Sequence, residues 1–182
     1  LTDATVAEDP TDSYSFVQPG SGSLPASVRR LPIIVPEGTR YLRVALFNEA
    51  RNGNADLDLY LYACPDFGEC IAEATPSQNA DSEEAINLIP AEGQNHVTPG
   101  EYYVDVHGFD TDGGSATFNL LVWTVGADRA NATLTAPGSL GTGSPASVGL
   151  GWQGLSPGLH LGLISHSDGD IVFGQTVIEV TP

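Results

Sequence analysis

The sequence predicts an all-β chain of two units, and three observations carry that expectation. Twenty-one glycines and thirteen prolines punctuate its 182 residues, a density that favours short strands and tight turns. Val, Leu, Ser and Thr fill the intervals, with few runs of strong helix formers. Apolar residues recur at every second position in several segments, most plainly in Asp56-Leu-Asp-Leu-Tyr-Leu-Tyr62, the period at which a strand buries one face. The chain is 41% hydrophobic, enough to build a core and unlike a disordered polypeptide. Its length accommodates one standard domain and a smaller one.

Residues 1–12 read as an acidic lead-in interrupted by Pro10, and residues 13–17 as a first strand. Pro19-Gly-Ser-Gly-Ser-Leu-Pro25 is loop chemistry, because Gly and Pro break a ladder. Arg29-Arg30 fits a solvated strand or loop pair better than a processing site. Strands are expected over 31–35, 40–48 and 56–63, separated by Pro36-Glu-Gly-Thr39 and an Asn/Gly-rich loop. In the third of these Leu57, Leu59 and Leu61 share the core face, while Asp56, Asp58, Tyr60 and Tyr62 share a face that is wet or bound.

Further strands are expected over 85–89, 101–108 and 116–125. Tyr102, Val104 and Val106 alternate there with Tyr103, Asp105 and His107. Leu121 and Trp123 lie opposite Phe118, Leu120 and Val122, so both faces of that last strand require cover; the segment that follows is the expected cover. A boundary near 126 divides residues 1–126 from a small unit, 127–182. The small unit has strands over 132–135, 147–153, 159–166 and 175–180 around one central tryptophan, Trp152.

Twenty-three acidic residues against six arginines and no lysine give a formal charge of −17. Such a surface repels phosphate backbones and anionic lipid, which argues against nucleic-acid or membrane partners. No apolar run reaches the length of a membrane-spanning helix. The chain opens without a signal-peptide pattern, so Leu1 is expected to begin a mature or excised fragment.

Cys64 and Cys70 are the only cysteines and bracket a five-residue tip between two strand-like segments. A hairpin-tip disulfide is the expected pairing, stabilising by roughly 2 kcal/mol in the chain-entropy picture, and it implies an oxidising compartment. Two free thiols or a metal site are the rival readings, although C-x5-C without a second pair is poor zinc spacing.

Asn52-Gly-Asn54-Ala-Asp56-Leu-Asp58 sets oxygen-bearing side chains at alternate positions, and side chains two apart on a strand point together. Calcium needs six to eight oxygens. Asp56, Asp58 and Asn54, completed by Asp110 and Asp112, therefore form a candidate calcium set; exposed carboxylates guarding a strand edge are the plainer alternative. Tyr60, Tyr62, Tyr103, His107 and Trp123 form a candidate ligand or interdomain face. Gly154-Leu-Ser156-Pro-Gly158 matches G-x-S-x-G, but a nucleophile elbow needs a strand-to-helix turn, and Pro157 follows the serine directly. His96, His107, His160 and His166 show no metal spacing. Asn131-Ala-Thr133 is a glycosylation acceptor only where the machinery exists.

Taken in order, Gly38-Thr-Arg-Tyr-Leu-Arg-Val-Ala-Leu-Phe47, Asp56-Leu-Asp-Leu-Tyr-Leu-Tyr62, Glu83-Glu-Ala-Ile-Asn-Leu88 and Gly100-Glu-Tyr-Tyr-Val-Asp-Val-His-Gly-Phe109 resemble the bacterial pre-peptidase C-terminal (PPC) domain, over residues 13–126. Trp152-Gln-Gly-Leu-Ser-Pro-Gly158 and Leu161-Gly-Leu-Ile-Ser-His-Ser-Asp-Gly169 resemble the small fibronectin-III-like end that follows it in secreted subtilisin-like serine proteases. The resemblance implies a β-sandwich or jelly-roll, sometimes calcium-stabilised, that accompanies a catalytic protease domain of the same precursor. It also implies roles in folding, secretion or maturation, or in binding insoluble protein such as collagen. The protease motifs themselves are absent, so the expected function is non-catalytic and extracellular. An independent adhesion or carbohydrate-binding module is the alternative.

Overall fold

The computed structural model describes residues 4–48, 54–64, 69–74, 76–91, 94–126, 131–139, 141, 143–168 and 171–182. The Asn52-Gly53 part of the candidate calcium loop, the hairpin tip 65–68 and the junction 127–130 lie outside them. The chain is all-β, its sheets are antiparallel, and it divides into two compact units, Leu1–Gly126 and Ala127–Pro182.

The larger unit is a sandwich. Strands β1 (Ala4–Ala7), β2 (Val28–Val35), β3 (Tyr41–Leu46), β4 (Asp56–Ala63), β5 (Ile71–Ala72), β6 (Glu84–Leu88), β7 (Gly100–Asp110), β8 (Ser115–Phe118) and β9 (Leu121–Val125) form three sheets in the orders β2-β7-β4-β5, β6-β3-β9 and β1-β8. The alternation read in the sequence assigns the core. Leu31, Ile33 and Val35 of β2, Leu57, Leu59 and Leu61 of β4, and Tyr102, Val104 and Val106 of β7 pack with Leu42, Val44 and Leu46 of β3 and Ile86 of β6. Phe118 and Leu120 join the same core. A side-chain period of two makes this register hard to slip, because a shift of one residue would turn every leucine outward.

Several expectations are corrected by the structure. Residues 1–12 are more than a lead-in, since Ala4–Ala7 pairs with Ser115–Phe118 and Val6 is 1% exposed. Residues 116–125 are not one strand. β8 pairs with β1, while β9 pairs with β3, and the chain changes sheets at Asn119-Leu120. Because Phe118, Leu120 and Val122 keep the same alternation through that change, the pattern hides it. Residues 13–17 run extended but join no ladder, and the two-residue β5 is an element that the sequence reading lacked.

The smaller unit holds β10 (Ala132–Thr135), β11 (Gly149–Trp152), β12 (His160–Asp168) and β13 (Ile171–Val180), paired β10-β11 and β12-β13. Trp152 does not centre a core; it is 43% exposed, and no described residue of this unit is fully buried.

Gly108 shows how closely the N-terminal chain is seated. A Cβ there would run into the main-chain oxygen of Ala7 and touch the Thr111 side chain, while the Gly108 carbonyl already accepts from the Asp9 N–H at 2.8 Å. Gly108→Ala is therefore expected to cost about 1–3 kcal/mol, the usual scale of overpacking, read as a lower thermal midpoint with weaker exchange protection of residues 4–9.

Candidate functional site

The alternation that sends the leucines of β4 inward sends Asp58, Tyr60 and Tyr62 to the outer face of the four-stranded sheet, and β7 sends Tyr103, Asp105 and His107 to the same side. The register sets Asp58 opposite His107, Tyr60 opposite Asp105 and Tyr62 opposite Tyr103. Asp58, Tyr60, Tyr62, Asp105 and His107 are nevertheless all buried. The cover is the protein's own N-terminal segment, residues 8–18.

In this extended segment alternate side chains meet the sheet, as the strand period requires. Tyr14 stacks on Tyr60 with ring centroids 3.6 Å apart, and Phe16 stacks on Tyr62 at 3.8 Å. Gln18 completes the series, its Nε2 donating to the Cys70 carbonyl at 2.9 Å and its Oε1 accepting from the Cys70 N–H at 3.0 Å. The Cys64–Cys70 disulfide is formed; both cysteines pack with Tyr60 and Tyr62 beside Tyr14, Phe16 and Tyr103. Ser13 and Ser15, between the inward side chains, face solvent.

Charge fastens what the rings cover. The Arg30 guanidinium grips Asp105 with two donors, Nε to Oδ1 at 2.7 Å and Nη2 to Oδ2 at 2.6 Å, and its Nη1 donates to the Val17 carbonyl at 2.7 Å. Such a planar fork matches a carboxylate in a way a point charge cannot. Arg30 also lies over the rings of Phe16 and Tyr103, 4.6 and 5.3 Å from their centroids, a cation–π arrangement. The Tyr14 hydroxyl donates to Asp105 Oδ2 at 2.8 Å. Burial, together with the nearby Asp105 charge, pushes the Tyr14 phenol far above its ordinary range, so it stays a donor.

A second polar group lies beside the first. His107, 1% exposed, sets Nε2 2.9 Å from Asp9 Oδ2 and Nδ1 3.2 Å from Asp58 Oδ2. Asp9 also accepts from the Thr11 N–H and hydroxyl and from Ser27. Asp58 also accepts from the Tyr60 hydroxyl at 3.4 Å, and Tyr60 in turn accepts from Gln78. Hydrogen bonds from Thr11 and then His107 hold the Asp9 carboxyl well below its ordinary range. Burial alone would lower the His107 pKa, but hydrogen bonds to Asp58 and Asp9 outweigh it and leave the group raised. Glu8 closes the end of the segment by accepting from the N–H groups of Thr111 and Gly113 at 3.0 and 2.6 Å.

The candidate residues therefore separate. Tyr60, Tyr62, Tyr103 and His107 share one face, whereas Trp123 is on β9 of the other sheet, beside Phe47. The Asp58 carboxylate is engaged by His107 and Tyr60. Asp56 pairs with Asp110 at a register shift in the ladder, Asp112 donates its N–H to Asp110 across their own turn, and Asn54 is exposed. Among the described residues no three His, Cys, Asp or Glu side chains gather at metal-holding spacing. Ser156 lies between β11 and β12, two strands, and its carbonyl faces His160 Nε2 at 2.9 Å, so this turn is no strand-to-helix elbow. His96 contacts the Val97 carbonyl and His166 the Thr176 hydroxyl.

The sequence reading missed Glu8, Asp9, Tyr14, Phe16, Gln18, Arg30 and Asp105 as parts of this face. The signal available was the alternation Tyr14-x-Phe16-x-Gln18, which begins five positions after the acidic pair Glu8-Asp9. Comparison with known proteins finds no family model, no curated protein and no solved structure that matches this chain.

Removing one partner of a buried pair leaves the other charge uncompensated. Arg30→Ala is expected to lower the unfolding free energy by about 3–5 kcal/mol, while Tyr14→Phe, which keeps the stacked ring and loses one bond to a charged acceptor, is expected to cost about 1.5–3 kcal/mol. Chemical denaturation of the two variants measures the order.

Proposed function

We propose that this chain is a non-catalytic accessory region of a secreted subtilisin-like serine protease, and that the outer face of β2-β7-β4 holds extended protein segments for its parent enzyme. The observation that carries the binding role is the way the face already holds one such segment. Tyr14, Phe16 and Gln18 are received in sequence by Tyr60, Tyr62 and Cys70, through side chains at alternate positions of the segment. Amphipathic rings such as these supply contact area at little entropic cost.

The parentage rests on the resemblance of the four motif segments, in order, to the PPC domain. The disulfide is compatible with an extracellular location, and no described helix is long and apolar enough to cross a membrane. The acidic surface favours basic or neutral protein partners over polyanions.

Sedimentation of the full chain with insoluble collagen and, separately, with insoluble polysaccharide tests the role. Retention on collagen alone is expected. Retention on polysaccharide alone would assign an independent carbohydrate-binding module instead. Peptidase activity abolished by Ser156→Ala would overturn the non-catalytic reading.

A further inference from the structure

Among the groups that seat the N-terminal segment, one is a histidine. His107 is almost fully buried, and each of its ring nitrogens faces a carboxylate oxygen, Asp9 from the segment and Asp58 from β4. Ionised carboxylates only accept hydrogen bonds. A neutral imidazole offers one N–H and an imidazolium offers two. Both contacts can therefore be hydrogen bonds only while the ring carries its second proton. When that proton leaves, one ring nitrogen turns a lone pair toward a buried carboxylate, and a buried acceptor without a donor is costly.

We propose that His107 is a pH-sensitive latch for the N-terminal segment: as an imidazolium it fastens Asp9 to Asp58, and its deprotonation loosens residues 9–14 and uncovers the aromatic face. The inference rests on the proposed function only for what the uncovered face would bind; the latch itself stands on the Asp9–His107–Asp58 geometry.

The groups around the ring do not switch with it; Glu84 on β6, which burial and then the Asp58 and Asp56 charges hold above its ordinary range, acts on Asp58 and is not among the groups that shift His107. Tyr60 on β4 and Tyr14 on the segment both approach it, and burial pushes both phenols up, so neither ionises near neutrality. Asp105, two residues along the same face of β7, is paired with Arg30, which stays charged. Ser27 and Thr11 touch Asp9 only as neutral donors.

The sign follows from the two shifts. His107 is raised, so its contribution is complete below its ordinary pKa and is lost as pH rises through the folded value. Asp9 is lowered, so its contribution is present above its ordinary value and is lost only in strong acid. The latch is closed in the weakly acidic range and opens as pH rises through the raised folded value of His107. The pH-indifferent grip of Arg30 on Asp105 and Val17 keeps the far end of the segment attached.

Nuclear magnetic resonance titration of the four histidines in the full chain, between about pH 5 and pH 9, tests the latch together with hydrogen exchange corrected for its intrinsic pH dependence. His107 is expected to titrate above the ordinary histidine value, and protection of residues 9–14 to fall roughly tenfold through the same midpoint. Asp58→Asn supplies the control that a merely structural role would not move, because an amide can donate to the neutral ring. That variant is expected to stay folded and to keep the segment protected at alkaline pH. The proposal is overturned if His107 titrates at or below the ordinary histidine value, if protection is unchanged across its midpoint, or if Asp58→Asn loosens as the parent chain does. Collagen sedimentation at both pH values separates the two readings: a segment that opens without any gain in retention leaves the latch standing and removes the proposed binding role.

Discussion

A buried carboxylate must find its hydrogen bonds inside the protein, and Asp105, at 0% exposure, finds them in Arg30 and Tyr14. The rest of the larger unit is arranged around that requirement. β7 is the middle strand between β2 and β4, and its inward side is ordinary core. Its outward side carries Asp105 and His107, groups that would normally face water. They are covered because residues 8–18 bring Asp9 and the rings of Tyr14 and Phe16 over this face. Without that segment the same polar row would be solvated and the rings of Tyr60 and Tyr62 exposed, a surface for which a soluble monomer needs a reason.

Cover of this kind is held by side chains, not by a ladder. The described main-chain bonds from Ala7, Glu8 and Asp9 tie the segment at its N-terminal end, and beyond Asp9 stacking, charge and the side chain of Gln18 do the holding. The disulfide contributes by fixing where Cys70 sits, since Gln18 reads the main chain of that one residue at both its N–H and its carbonyl.

The sandwich was legible because its information is local and periodic. The leucines of β4 and the Tyr102/Val104/Val106 series of β7 announce which side is core, and β4 runs over 56–63 as the alternation indicates. The cysteine spacing likewise matched a hairpin-tip bridge. What stayed hidden was non-local. Val6 reads as one apolar residue in an acidic stretch until β8, more than a hundred positions later, is placed beside it. Arg30 looks like half of a dibasic pair until Asp105 faces it across the β2–β7 ladder. The Asp56/Asp58 pair is a further case: spacing brings both to one side of an ideal strand, but it carries no trace of the register shift at Asp56/Leu57 or of the histidine that takes Asp58.

The order of contacts along residues 4–18 also determines how this protein bears load. Tension arriving through the chain ahead of residue 4 meets the β1–β8 ladder first, then Glu8 in its turn, Asp9 at His107, Tyr14, Phe16 and finally Gln18. Because these attachments lie in series, each bears the load alone when its turn comes, as in a strip peeled from one end. Detachment in this order would reach the β2-β7-β4-β5 face only after β1 had left the core that Ala4 and Val6 share with the leucines of β3 and β4.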